Sequence, residues 1–108
     1  MLVIISPAKK LNWDPVSLTN LTNPSFQKEA VELVDIAKNL SPKKLSDLMK
    51  ISENLAKLNF DRFNSFESKS TNKNAKPAAL AFAGDTYAGL EARTLDLESM
   101  EYAQTHLR

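Results

Sequence analysis

Apolar residues open the chain as a short continuous run and return in the same form near the start of its final third. The first run covers residues 2–5, and three of its four side chains are β-branched. Such a run is typical of a strand covered on both faces. Pro7 has no amide hydrogen to donate, so the predicted strand ends near Ser6. A second run, residues 78–82, follows Pro77 and predicts a second strand.

Between these runs the apolar residues change to helical spacing and predict three helices. In residues 26–37 they recur every three or four positions, and Asn23-Pro24 supplies an N-cap followed by a first-turn proline. Ser41-Pro42 repeats the same signal and starts a second, shorter helix. Ser52 is placed to cap a third helix, and the break between the second and third falls near Lys50-Ile51.

The last part of the chain predicts a loop, a turn and one more helix. Residues 64–76 are rich in serine, asparagine and lysine, as expected for a flexible polar loop. Gly84-Asp85 is a turn signal, and Asp96 can cap a final helix that stays amphipathic as far as Leu107-Arg108. A few strands with four to five helices predict an α/β fold of the mixed α+β kind. Two strands do not make a self-sufficient sheet, so we expect residues 1–108 to be a single partial domain.

Composition narrows the classes of function. A chain of 108 residues with 43% hydrophobic and 25% charged residues is ordinary for a globular domain. There is no cysteine and only one histidine, His106, so we expect no disulfide, no thiolate nucleophile and no metal or other cofactor. No apolar run approaches the roughly 20 residues of a membrane helix, and no targeting segment is visible. We therefore expect a cytoplasmic protein that does not bind membranes.

The formal charge of +1 hides a segregation along the chain. Residues 1–37 carry −1, residues 38–76 carry +5 and residues 77–108 carry −3. A basic middle between acidic ends is compatible with a polyanionic partner. A lysine-rich solvated surface would give the same pattern.

The first candidate site is a basic helical pair in residues 41–59. Its side chains are Lys43, Lys44, Lys50, Ser52 and Lys57. Backbone amides at the start of the second helix can hold a phosphate, and flanking lysines neutralise phosphates without reading a base sequence. The hairpin of helix-hairpin-helix DNA binders usually contains a glycine, which this segment lacks. The alternative is a pair of helices that only pack, with solvated lysines.

The second candidate site lies where the two predicted strands end. It combines Ser6 and Lys9 with Gly84, Asp85 and Tyr87, and would be the pocket of an enzyme of unknown reaction. Both glycines of the chain lie within residues 84–90, which suggests a backbone conformation that other residues resist. The alternative is a helix entry in which Asp85 caps and Tyr87 packs.

Several separated motifs, in order, resemble the YaaA family of bacterial peroxide stress proteins. The resemblance covers essentially the whole chain and is carried by Leu2-Val3-Ile4-Ile5-Ser6-Pro7-Ala8-Lys9, Leu48-Met49-Lys50-Ile51-Ser52, Arg62-Phe63, Gly84-Asp85-x-Tyr87-x-Gly89-Leu90 and Ala103-Gln104-x-His106-Leu107-Arg108. Family members are roughly twice as long, which implies that this chain is the amino-terminal portion of a YaaA-like fold. Lys10 and Ala83 depart from the family pattern, which usually has a threonine and a lysine there.

The resemblance implies a protein induced by oxidative stress that limits damage from peroxide and iron-driven chemistry. It also implies DNA binding through a positively charged cleft and a helix-hairpin-helix element. On this chain the element corresponds to residues 41–59 and the cleft to Ser6 and Lys9. Neither an enzymatic activity nor an oligomeric state follows from it. A truncated chain without the function of its family is a further alternative.

Overall fold

The computed structural model describes residues 1–17 and 21–108, and the regular structure within them is helical. Two compact units are present, the central unit, Thr22–Asn74, and the terminal unit, Met1–Leu21 with Ala75–Arg108. The central unit contains α1 (Gln27–Ala37), α2 (Pro42–Met49) and α3 (Glu53–Asn64). The terminal unit contains α4 (Ala78–Ala81), α5 (Asp85–Leu90), a 3-10 turn (Ala92–Thr94) and α6 (Leu97–His106).

The predicted α/β fold is wrong, because the described part of the chain forms no β-strand or sheet. Two isolated β-bridges are present instead, a parallel one between Val3 and Leu107 and an antiparallel one between Leu11 and Phe82. A strand needs consecutive bridges to form a ladder, and each of these segments meets its partner at a single residue pair.

Residues 78–82 form a short helix rather than the predicted second strand. Three of the four residues of α4 are alanine, the strongest helix former, and Pro77 stands at its N-cap. The extended segment begins only at Phe82, where Asn12 N–H donates to Ala81 O (2.7 Å) and Ala83 N–H to Lys10 O (3.0 Å). A short apolar run does not distinguish helix from strand by periodicity, which explains the wrong assignment.

Residues 2–5 are extended but are not covered on both faces. Leu2 is 58% exposed and Ile4 78% exposed, so the prediction of a buried strand is wrong. The segment is held by backbone hydrogen bonds to His106, the last residue of α6, and to Arg108. That helix also ends earlier than expected, at His106, because Leu107 becomes extended and pairs with Val3.

The core of the central unit lies between α2 and α3. Leu45 is the largest fully buried side chain, and Ala56 of α3 is completely inaccessible. Alanine at this position leaves room for the backbone of α2 to approach closely. The buried amide of Asn59 donates to Leu55 O (2.8 Å) within α3, which satisfies one of its polar groups. Val34 is the buried residue that α1 contributes.

Three predicted helix caps are confirmed, and one helix start is wrong. The hydroxyls of Ser41 and Ser52 accept hydrogen bonds from the amides of the third helical residue, and Asp96 accepts one from Ser99 N–H (2.8 Å). This amide lowers the pKa of the Asp96 carboxyl, because it stabilises the ionised form. The first helix begins at Gln27, not at Pro24, and has no side-chain cap.

None of the helices described here is long and apolar enough to cross a membrane.

Candidate functional site

The connection between α2 and α3 is a tight turn closed by its own hydrogen bonds. Lys50 follows α2 with φ 54° and ψ 50°, in the left-handed region, and its N–H donates to Ser46 O. The Ser46 hydroxyl donates a hydrogen bond to Ile51 O at 2.7 Å. Glycine is the residue that adopts this conformation without strain. Lys50, in the predicted break at Lys50-Ile51, therefore adopts a backbone conformation that glycine adopts more readily.

The α3 start follows this turn directly. Ser52 stands at the N-cap, and its hydroxyl accepts from Leu55 N–H at 3.3 Å. This contact satisfies one of the amides that the first helical turn leaves without an intrahelical partner. Glu53 is the acidic residue of this first turn. Ser52 therefore has a structural role as a cap, in addition to its predicted place in the candidate site.

The four predicted lysines are all exposed, but they lie in two different settings. Lys43 and Lys57 line a groove of about 520 Å³ between α2 and α3. The remaining lining residues of this groove are Pro42, Ser46, Asp47, Glu53, Asn54, Phe60 and Asp61. Three carboxylates against two lysines give the lining a net charge of −1. Lys44 and Lys50 are exposed but do not line this groove.

The difference in net charge between parts of the chain is smaller when the charge is summed over the two compact units instead of over the three sequence segments. The central unit carries nine basic and seven acidic side chains, a net +2, and the terminal unit carries five and six, a net −1. The contrast shrinks because α1, which contains Glu29, Glu32 and Asp35, belongs to the same unit as the lysines. The net positive charge of the central unit is therefore small.

The second candidate site is partly assembled in the terminal unit. The Tyr87 hydroxyl donates to the backbone carbonyl of Ser6 at 2.8 Å, and its ring packs against Phe82 with centroids 5.0 Å apart. Tyr87 thus packs, as the structural alternative predicted. Asp85 does not cap, because Gly84 holds the N-cap position and Asp85 lies exposed in the first turn of α5.

A pocket of about 400 Å³ lies next to α5, and only some of the predicted residues of the second candidate site line it. Gly84 and Tyr87 line it, whereas Ser6, Lys9 and Asp85 do not. Its polar lining includes Glu91 and Arg93, two residues that no sequence motif distinguished. The proposed combination of a serine, a lysine and a carboxylate around one cavity is therefore not formed by this pocket.

The two glycines have different structural roles, and neither has a positive φ. A Cβ on Gly84 would stand 3.2 Å from the Cβ of Ala8, closer than an ordinary contact, whereas a Cβ on Gly89 would meet nothing within 4 Å. A Cβ at residue 84 would therefore require Ala8 or the backbone around it to shift by a few tenths of an ångström. Gly89 only lowers the helical propensity of α5.

Substituting each glycine by alanine tests this difference. We expect Gly84→Ala to lower the free energy of unfolding by about 1–3 kcal/mol, because overpacking shifts the backbone. We expect Gly89→Ala to raise it by about 0.5–1 kcal/mol, because alanine restricts the unfolded chain and favours the helix. Urea denaturation of both variants measures the two values, and a destabilised Gly89→Ala would contradict the assignment.

His106 has local partners that account for its position. Its ring stacks on Tyr102 with centroids 3.8 Å apart, and Nδ1 lies 2.8 Å from Tyr102 O and 2.7 Å from the Thr105 hydroxyl. Among the residues with described positions, no three histidine, aspartate or glutamate side chains are grouped so that they could hold a metal ion.

The central unit thus presents a capped pair of helices with exposed lysines on α2, on α3 and in the turn between them. Comparison with known proteins identifies the family. Residues 1–108 match the family described as Peroxide stress protein YaaA, and the chain belongs to it.

The curated relatives are bacterial proteins named UPF0246. The chain is 56% identical over 108 residues to the one from Dinoroseobacter shibae, 52% identical to the one from Ruegeria pomeroyi and 55% identical to the one from Jannaschia sp.. Each match covers all of this chain but 40%, 42% and 41% of the relative, respectively. The chain therefore spans about 40% of the length of these relatives.

Proposed function

We propose that this peroxide stress family protein binds DNA through the edge of α2 and the start of α3, by phosphate contacts that do not read the base sequence. The observation that supports the proposal is that Lys44 in α2 and Lys50 in the turn before α3 are exposed and do not line the acidic groove.

The chemistry of this surface matches a phosphate backbone. The ammonium groups of lysines act as point charges on phosphate oxygens, and binding releases condensed counterions. The positive end of the α3 dipole also lies at this edge, where it is opposed by the Glu53 carboxylate of the first turn, so the lysines supply the main attraction. The left-handed Lys50 gives the turn the backbone conformation that helix-hairpin-helix proteins usually obtain from glycine, so the missing glycine is no objection to this likeness.

The groove between α2 and α3 limits which lysines can contribute. A phosphate entering it would meet the carboxylates of Asp47, Glu53 and Asp61. These carboxylates repel the negatively charged phosphate. Lys43 and Lys57, which line the groove, should therefore contribute less to binding than Lys44 and Lys50, which do not.

An enzymatic function built on Ser6, Lys9, Asp85 and Tyr87 has less support. The Tyr87 hydroxyl donates a hydrogen bond to the backbone carbonyl of Ser6, so this contact does not involve the Ser6 hydroxyl. A general acid–base pair would need both side chains to face one reacting atom.

The salt dependence of binding tests the proposal. The 108-residue chain is titrated into two labelled duplexes of unrelated sequence by fluorescence anisotropy over a range of sodium chloride concentrations. Neutralising two to four phosphates gives a log–log slope of about −1.8 to −3.6, and the two duplexes should bind alike. Affinity that does not change with salt, or that is confined to one duplex, would contradict the proposal.

A further inference from the structure

The extended residues at the start of the chain form one edge of an incomplete parallel pair. Val3 N–H donates to His106 O (2.7 Å), Arg108 N–H donates to Val3 O (2.8 Å) and Ile5 N–H donates to Arg108 O (2.7 Å). In a parallel pair, one residue uses both its N–H and its C=O on the same neighbour. Val3 does this, so residues 3 and 5 direct their backbone groups towards the 106–108 segment.

The alternate residues direct their backbone groups to the opposite edge. Within the described ranges, neither Leu2 nor Ile4 makes a backbone hydrogen bond on that side. Their side chains are also among the most exposed apolar groups of the terminal unit. Parallel strands are normally interior strands with both faces covered, and an unpaired apolar edge readily takes up another strand.

We propose that this edge, formed by the backbone groups of Leu2 and Ile4, binds one further extended apolar segment as an added strand. Two observations support this. The backbone N–H and C=O groups of Leu2 and Ile4 have no backbone partner among the described residues, and the side chains of both residues are exposed. Strand addition at an exposed edge takes its affinity from the backbone and its selectivity from alternate side chains.

The occupant is a segment from the portion of the longer family members that this chain does not match. About 60% of the length of the Dinoroseobacter shibae relative lies outside the matched region, so a covering segment is available within the same family. A second copy of the chain would bring only the same short edge at Leu2 and Ile4, and the test below distinguishes it from the covering segment.

Co-expression tests this inference. The 108-residue chain, carrying an affinity tag, is produced together with the unmatched portion of the Dinoroseobacter shibae relative, and the amount of that portion recovered on the tag is measured. We expect a stable complex in which hydrogen exchange at the amides of Leu2 and Ile4 slows, since each gains a backbone partner.

Two substitutions at exposed leucine and isoleucine positions separate the edge from general surface effects. Ile4→Lys should reduce recovery at least about tenfold, because an apolar side chain that becomes buried is replaced by a charge. Leu97→Lys, at an 80% exposed position in α6, should leave recovery unchanged. Absence of a complex, equal effects of the two substitutions, or self-association of the chain through residues 2–5 would each overturn the proposal.

Discussion

Replacing Leu45 by alanine is expected to lower the free energy of unfolding of the central unit by about 2–5 kcal/mol. Leu45 is 1% exposed and is the largest fully buried side chain among the described residues. The substitution removes apolar contacts with α3 and leaves a cavity that the surrounding helices fill only partly. A unit with so few buried apolar side chains has little stability to lose, so the variant should be largely unfolded at room temperature.

Leu48→Ala is the matched control. Leu48 lies three positions further along α2 and is 71% exposed, so its truncation should change the free energy of unfolding by less than about 0.5 kcal/mol. Urea denaturation followed by circular dichroism measures both variants against the parent chain. The parent must first show a cooperative transition. Without it, the chain would be the non-functional truncated form, and equal effects of both substitutions would contradict the assigned core.

Reversing the charge of Lys44 and Lys50 together is expected to weaken DNA binding by about 10- to 100-fold at low salt. Each substitution removes one cationic contact and places a carboxylate next to a phosphate. The log–log salt slope should become shallower by about 0.9 for each lost contact. Fluorescence anisotropy on the same two duplexes measures both quantities, and the loss should be equal for both sequences because no base is read.

Lys69→Glu with Lys73→Glu supplies the matched control for net charge. Both lysines are exposed in the same unit and lie outside α2 and α3. This pair should reduce affinity by less than about threefold, because exposed charges more than a Debye length from the DNA are screened. Lys50→Gly adds a second control. Glycine adopts the left-handed conformation without strain, so this variant should lose affinity without losing stability. Equal losses in the 44/50 and 69/73 pairs would contradict a local binding edge.

The helix starts of this protein could be predicted from sequence because they depend on neighbouring residues. Ser41, Ser52 and Asp96 each accept a hydrogen bond from an amide three positions ahead, and that spacing is visible in the printed sequence. Asn23-Pro24 carries the same sequence signal, but no helix begins there, since α1 begins at Gln27. A local signal of this kind marks where a helix can begin, and the packing of the helix decides whether it does.

The extended segments could not be predicted in the same way. Four apolar residues in a row fit a buried strand, but whether a neighbour covers them depends on residues far away in the chain. For residues 2–5 the only described backbone partners lie around position 107. For residues 78–82 the alanines favour a helix, and only Phe82 reaches an extended partner.

The two candidate sites could likewise be predicted from the sequence only in part. The exposure of the lysines in residues 41–59 was expected from charge, whereas the carboxylates that share a groove with Lys43 and Lys57 became apparent only when α2 and α3 were packed. Ser6 and Tyr87 were expected to be neighbours, and they are in contact. The atoms that meet are a hydroxyl and a backbone carbonyl, which no motif of side chains specifies.

The bridge between Val3 and Leu107 also sets an order of events during synthesis. The terminal unit is made from the first and last parts of the sequence, with all of Thr22–Asn74 between them. A ribosome adds roughly 5–20 residues each second, so the helices of the central unit can close while the opening segment still waits for its partner. Joining ends so far apart carries a large loop-closure cost, which grows only slowly with length. The opening segment therefore stays without this partner until residues 106–108 have been made.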